Sequence, residues 1–165
     1  MRDPPSASLF PLGPDSGAKD ASGSPPSQEP LTILLIEDNE TDRLVMQEIL
    51  EQCGIDFRLC IAVNGSDAIK YIQHTGVDES APRPGLVLLD LNLPGISGLE
   101  VLKQIRKTTR YDGVPVVIVT SSDSEHDKGV TAQLSVNAYF RKPTSLPEYL
   151  ELAPVIHQVL EQGKS

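Results

Sequence analysis

Tryptophan is absent, aromatic residues make up only 4% of the chain, and cysteine occurs twice, at Cys53 and Cys60. Two cysteines with six residues between them exclude a disulfide-stapled scaffold and match no zinc-ligand spacing. No apolar run approaches the ~20 residues that a membrane-crossing helix needs. The opening MRDPPSASLFPLGPDSG holds no continuous apolar stretch of the kind a secretory signal carries. A reduced, cytoplasmic setting without a membrane partner is therefore expected. Basic residues are scarce: 14 Lys and Arg stand against 23 Asp and Glu, giving a net charge of -9 and a pI near 4.7. Nucleic-acid backbones and anionic membranes both reward a basic face, so neither is expected as a partner. The balance suits protein partners and a cation site.

What is present divides the chain in two. Residues 1–30 hold seven of the 14 prolines, six serines and three glycines. So few apolar residues cannot repay the entropy of ordering, and a disordered tail is expected there. From residue 31 to about 162, apolar runs alternate with helical patterns, and 165 residues suffice for one core. LTILLI (31–36) reads as a strand buried on both faces. A helix follows, capped by Asn39, with Met46, Ile49, Leu50 and Cys53 on one face and Gly54 at its end. Strands are expected at 57–63, 86–91, 114–120 and 137–142. Helices are expected at 66–73 and 99–107, within the polar segment 121–135, and at 146–162. The stretch 74–85, marked by Pro82, Pro84 and Gly85, reads as a loop. Alternation of five strands with five helices predicts a flavodoxin-like (βα)5 three-layer sandwich with parallel strand order 2-1-3-4-5.

In that order the carboxyl ends of strands 1 and 3 are neighbours. Glu37 and Asp38 end strand 1, Asp90 ends strand 3, Thr120 ends strand 4 and Lys142 ends strand 5. Three carboxylates ~5 Å apart repel by about 3 kcal/mol per pair at an effective dielectric near 20. Protonation or a cation relieves that repulsion, and an all-oxygen ligand set suits Mg2+. Lys142 supplies a point charge for Asp90 or a phosphate on it, and Thr120 supplies a hydroxyl. Asn92, two residues past Asp90, could offer its backbone carbonyl to the metal. The set fits phosphoryl transfer to Asp90 as nucleophile, with charge stabilisation supplying most of the catalysis.

ILLIEDN at strand 1, LVLLDLNLPGISGLEVL around Asp90, VPVVIVTSS at strand 4 and NAYFRKP at strand 5 together resemble response-regulator receiver domains of two-component signalling. The resemblance covers about 31–161. It implies that Asp90 takes a phosphoryl group from a histidine kinase, with Mg2+ on Glu37, Asp38 and Asp90. It also implies that Thr120 and Tyr139 form a switch pair and that the Lys142–Pro143 bond is cis. Glu37 departs from the commoner Asp, and the loop 74–85 is longer than usual. A stand-alone regulator acting through protein contacts is expected, most similar to those paired with bacterial phytochrome kinases. Beyond its own phosphorylation and dephosphorylation, no enzyme activity is expected. A metal-dependent aspartyl phosphatase is the first alternative, but such enzymes usually place a second Asp where Asn92 stands. A non-phosphorylated pseudo-receiver is the second, and the complete acidic, Thr and Lys set speaks against it.

His74, His126 and His157 fall on separate segments and read as surface residues. On the last helix, Leu146, Tyr149, Leu150, Ala153 and Leu160 read as the stripe that covers the sheet. Leu152, Val155 and Val159 read as a second stripe roughly 120° around, which predicts a homodimer seam. Pro154 predicts a kink, since it removes a hydrogen bond to Leu150.

Overall fold

The computed structural model describes residues 29–163. The Pro-rich tail expected over 1–30 lies outside the described residues except for Glu29 and Pro30. Five strands form one sheet: β1 (Leu31–Ile36), β2 (Phe57–Ala62), β3 (Leu86–Leu89), β4 (Val116–Thr120) and β5 (Ala138–Arg141). All neighbours are parallel and the order is β2-β1-β3-β4-β5, as expected. The helices are α1 (Glu40–Gln52), α2 (Gly65–Val77), α3 (Gly98–Lys107), α4 (Glu125–Gln133), α5 (Leu146–Tyr149) and α6 (Leu152–Gly163). Among the described residues no helix is long and apolar enough to cross a membrane.

The period-two geometry of the strands sorts their apolar residues onto two faces. Leu34, Ile36, Val87, Leu89, Val116 and Ile118 meet Ile72, Val101, Leu102 and Ile105 of α2 and α3 on one side. Ile33, Leu35, Leu86, Leu88, Val117 and Val119 meet Met46, Ile49 and Leu50 of α1 and the C-terminal helix on the other. Both layers are buried, which is why the strands read as unbroken apolar runs rather than as alternating ones.

Local signals explain most boundaries. Asn39 caps α1, its side chain accepting from the Asp42 N–H at 2.9 Å, and Gly54 closes the helix with φ +74°. Ser97, Ser124 and Ser145 cap α3, α4 and α5 in the same way. Helix α4 is lightly buried, with Thr131 its one buried residue. Helix α2 runs four residues past the expected end. Thr75 sits buried inside it, donating to the Tyr71 carbonyl at 2.8 Å and hydrogen-bonded to Tyr111 Oη at 2.6 Å. The loop that follows is pinned by Arg110, whose guanidinium donates to the carbonyls of Thr75, Asp78, Glu79 and Ala81.

Two expectations at the C-terminus are corrected. The segment is two helices, broken at Leu150 and Glu151, rather than one kinked helix. Pro154 falls in the first turn of α6, where a backbone N–H has no intrahelical partner in any case. The assignment of apolar faces is also overturned. Leu152 and Val159 are buried and Val155 is partly so, all packed on the sheet, so they form no exposed dimer seam; Leu146 instead is 56% exposed. The error lay in splitting one wide stripe into two. Tyr149, Leu152, Ile156 and Val159 (i, i+3, i+7, i+10) lie on one face centred on the fully buried Ile156, with Val155 and Leu150 at its margins.

Candidate functional site: an acidic pocket with one lysine

The carboxyl edge of the sheet gathers the titratable groups. Glu37 follows β1 and accepts a backbone bond from Asn39 N–H on Oε2 at 3.1 Å, while Arg43 donates to its carbonyl at 3.1 Å. Asp90 follows β3; its N–H continues the ladder to the Ile36 carbonyl at 3.0 Å, and its Oδ1 accepts from Asn92 N–H at 3.0 Å. Sheet pairing therefore fixes the two acidic segments against each other. Oxygens of Glu37, Asp38 and Asp90 all lie within 4.8 Å of one another. Glu37 and Asp90 are buried, whereas Asp38 is exposed.

Lys142 follows β5, its N–H bonded to the Thr120 carbonyl at 2.8 Å. Its ammonium reaches Asp90 Oδ2 at 3.0 Å, Glu37 Oε1 at 2.9 Å and Asp42 Oδ2 at 2.9 Å. The contacts to Asp90 and Asp42 are aligned hydrogen bonds. The one to Glu37 is an ion pair without that alignment, so the buried Glu37 Oε1 has the ammonium as its charge partner and no aligned hydrogen-bond donor. Burial, together with the neighbouring Asp90 charge, pushes the Glu37 carboxyl up to about 7 in spite of Lys142. The Lys142 ammonium is itself held well above its usual range by Glu37 and Asp42, against the pull of burial. Three clustered carboxylates, one with a buried oxygen that lacks an aligned donor, are served incompletely by a single ammonium. That donor set, all oxygen and open toward Asp38, fits a hard divalent cation.

Thr120 is buried, and its Oγ1 accepts from Asn92 Nδ2 and from Ser122 N–H, both at 3.3 Å. Tyr139 is half-buried against the α3–α4 side of the core, and its hydroxyl donates to the Ser122 carbonyl at 2.9 Å. The peptide of Ser122 thus touches both expected switch residues, and Ser122 Oγ donates to Asp127 at 2.6 Å. The Lys142–Pro143 bond is not cis: no cis peptide occurs among the described residues. Trans is the intrinsically favoured isomer at X-Pro, and the three carboxylates orient Lys142 without help from the other one. His74, His126 and His157 are all exposed, as expected.

Sequence reasoning missed Asp42 and placed Tyr149 only in the core. The available signal was position: Asp42 is the third residue of a helix that begins at the acidic edge. A residue there commonly reaches back to the cap N–H. Glu37 Oε2 already occupies the Asn39 N–H, so the Asp42 carboxylate turns to Lys142.

Comparison with known proteins follows the same lines. A family described as the response regulator receiver domain matches residues 33–153. Response regulator Rcp1 of Synechocystis sp. is 39% identical over 126 residues, which is 76% of this chain and 86% of that protein. The crystal structure of the Mn2+-bound form of Rcp1 has a TM-score of 0.70 at 38% identity, covering 78% of this chain and 93% of the other. The phosphorylated cyanobacterial phytochrome response regulator RcpA gives 0.71 at 32% identity, over 79% and 93% of the two chains. The bacteriophytochrome response regulator AtBRR gives 0.62 at 34%, over 80% and 94%. The matched span, from within β1 to the start of α6, contains every member of the acidic pocket together with Lys142, and this chain belongs to the response regulator receiver domain family.

Proposed function

We propose that Asp90 is the phosphoacceptor of this receiver domain and that residues 31–162 form the unit that presents it to a histidine kinase. Glu37, Asp38 and Asp90, with the Asn92 backbone carbonyl, would hold Mg2+, which when bound neutralises charge on the phosphoryl oxygens. Asp90 Oδ2 attacks the phosphorus of the kinase phosphohistidine, the N–P bond breaks, and the imidazole leaves with the bond's electron pair. Lys142, already 3.0 Å from Asp90, then pairs with the phosphoryl oxygens as charge builds there. Thr120 turns its hydroxyl toward the same oxygens and releases Asn92 and Ser122, to which it is now bonded. Tyr139 moves in as its tie to the Ser122 carbonyl shifts, so the faces of α4 and β5 change and protein contacts with them.

The observation that carries this reading is that oxygens of Glu37, Asp38 and Asp90 lie within 4.8 Å of one another at the carboxyl edge of a parallel sheet, with a largely buried lysine on two of them, Glu37 and Asp90. The kinase we infer is of the phytochrome class, because RcpA and AtBRR are described as phytochrome response regulators. Acetyl phosphate with Mg2+ is expected to add one phosphoryl group per chain by mass, and Asp90→Asn is expected to take up none. Undiminished labelling of Asp90→Asn would remove Asp90 from the role. Continuous turnover of a small phosphomonoester by the wild type would instead favour a phosphatase.

A further inference from the structure

The Lys142 ammonium has three N–H groups and meets three carboxylates, from Glu37, Asp42 and Asp90. Two of these also belong to the oxygen set suited to a cation; Asp42 does not. A cation and Lys142 therefore contend for Glu37 and Asp90, while Asp42 offers the lysine a partner outside that contest. Asp42 is fixed independently of cation or phosphate. Its N–H is bound to the Asn39 side chain at 2.9 Å, and its Oδ1 accepts from the Tyr149 hydroxyl at 3.3 Å. Tyr149 is buried, and its ring lies 6.1 Å from that of Phe140, centroid to centroid.

We propose that Asp42, steadied by the Tyr149 hydroxyl, is a positioning residue: it draws the Lys142 ammonium off Glu37 and Asp90 when a cation binds, yet keeps the lysine beside Asp90 for the incoming phosphoryl group. Without Asp42 the lysine leans wholly on the cation's own carboxylates and opposes binding. The contact also joins α1 and α5 to the site through a single side chain. This rests on the assignment of the acidic pocket to a divalent cation, and its test reads cation binding rather than labelling, so the two can fail separately.

Calorimetric titration of the full chain with Mg2+ compares wild type, Asp42→Asn, Lys142→Gln and the double variant. Asp42 is partly exposed, so its amide variant is expected to fold, which circular dichroism checks. Asp42→Asn is expected to weaken Mg2+ binding about tenfold in the wild-type background, but by no more than about twofold, the screened loss of one nearby charge, in the Lys142→Gln background. Tyr149→Phe keeps every charge and is expected to weaken binding about threefold, again only while Lys142 is present. Equal losses in both backgrounds would reduce Asp42 to a field effect, and no loss in either would leave it no role; both overturn the proposal. A wild type that fails to bind Mg2+ would instead overturn the cation assignment itself.

Discussion

Gly98 has no room for a side chain. A Cβ there would overlap the Asp90 carbonyl oxygen and lie 2.5 Å from Leu91 Cα, both of them backbone atoms that cannot swing aside. Helix α3 therefore starts hard against the segment that carries Asp90, and Gly98 N–H bonds the Leu91 carbonyl at 3.1 Å. Gly98→Ala is expected to cost about 1–3 kcal/mol, as overpacking does, and to slow acetyl phosphate labelling by displacing Asp90. A denaturant midpoint and a labelling rate measure the two effects. Wild-type values for both would show that the backbone yields without consequence. At the same scale, Glu37 reads in the sequence as an acidic strand end, but the burial of its Oε1 against the Lys142 ammonium follows only from the packing.

At the scale of elements, the C-terminal segment is where pattern alone misled. Its apolar residues cover a wide arc, and dividing that arc into two stripes assigned half of it to a partner. The whole arc packs on the sheet, centred on the fully buried Ile156, and only Leu146, before the break at Leu150 and Glu151, stands mostly exposed. Leu152→Ala is expected to destabilise the fold by about 2–5 kcal/mol, the range for a buried leucine, while Leu146→Ala, at the exposed start of α5, should stay within about 0.5 kcal/mol. Urea unfolding of the two variants checks this, and a larger loss for Leu146→Ala would reverse the assigned faces. The N-terminal cap of α1 was legible because capping is local: the Asn39 side chain satisfies an N–H three residues on.

For the whole molecule, buried neutral acids set the alkaline limit of stability. Burial pushes the Cys60 thiol up to about 11 and the Tyr111 phenol up to about 12, and it raises Tyr71, which donates to Cys60 Sγ at 3.2 Å, further still. In the unfolded chain these groups ionise from their ordinary values of 9.0 and 10.0. Above pH 9 the folded state therefore holds protons that the unfolded state has released. The stability they confer is complete below pH 9 and is lost as pH rises through 11 to 12, at about 1.4 kcal/mol per pH unit for each group. Urea midpoints at pH 8 and pH 10.5 should show the fall, with Cys60→Ala reducing its slope between pH 9 and 11. An unchanged slope would show that Cys60 ionises normally when folded.

Alternation of strands and helices, apolar cover on both faces of the sheet and the five edge residues Glu37, Asp38, Asp90, Thr120 and Lys142 are all legible in the chain alone. Each of these is written in short-range pattern or in a strand's last residue, and a parallel sheet brings strand ends to one edge whatever the loops do. Only the packing of distant segments settles that Asp42 joins Lys142, that Tyr149 puts its hydroxyl on Asp42 and that Leu152 and Val159 face inward. Those outcomes turn on distances between segments far apart in the chain and on competition for one ammonium or one N–H, which no local pattern encodes.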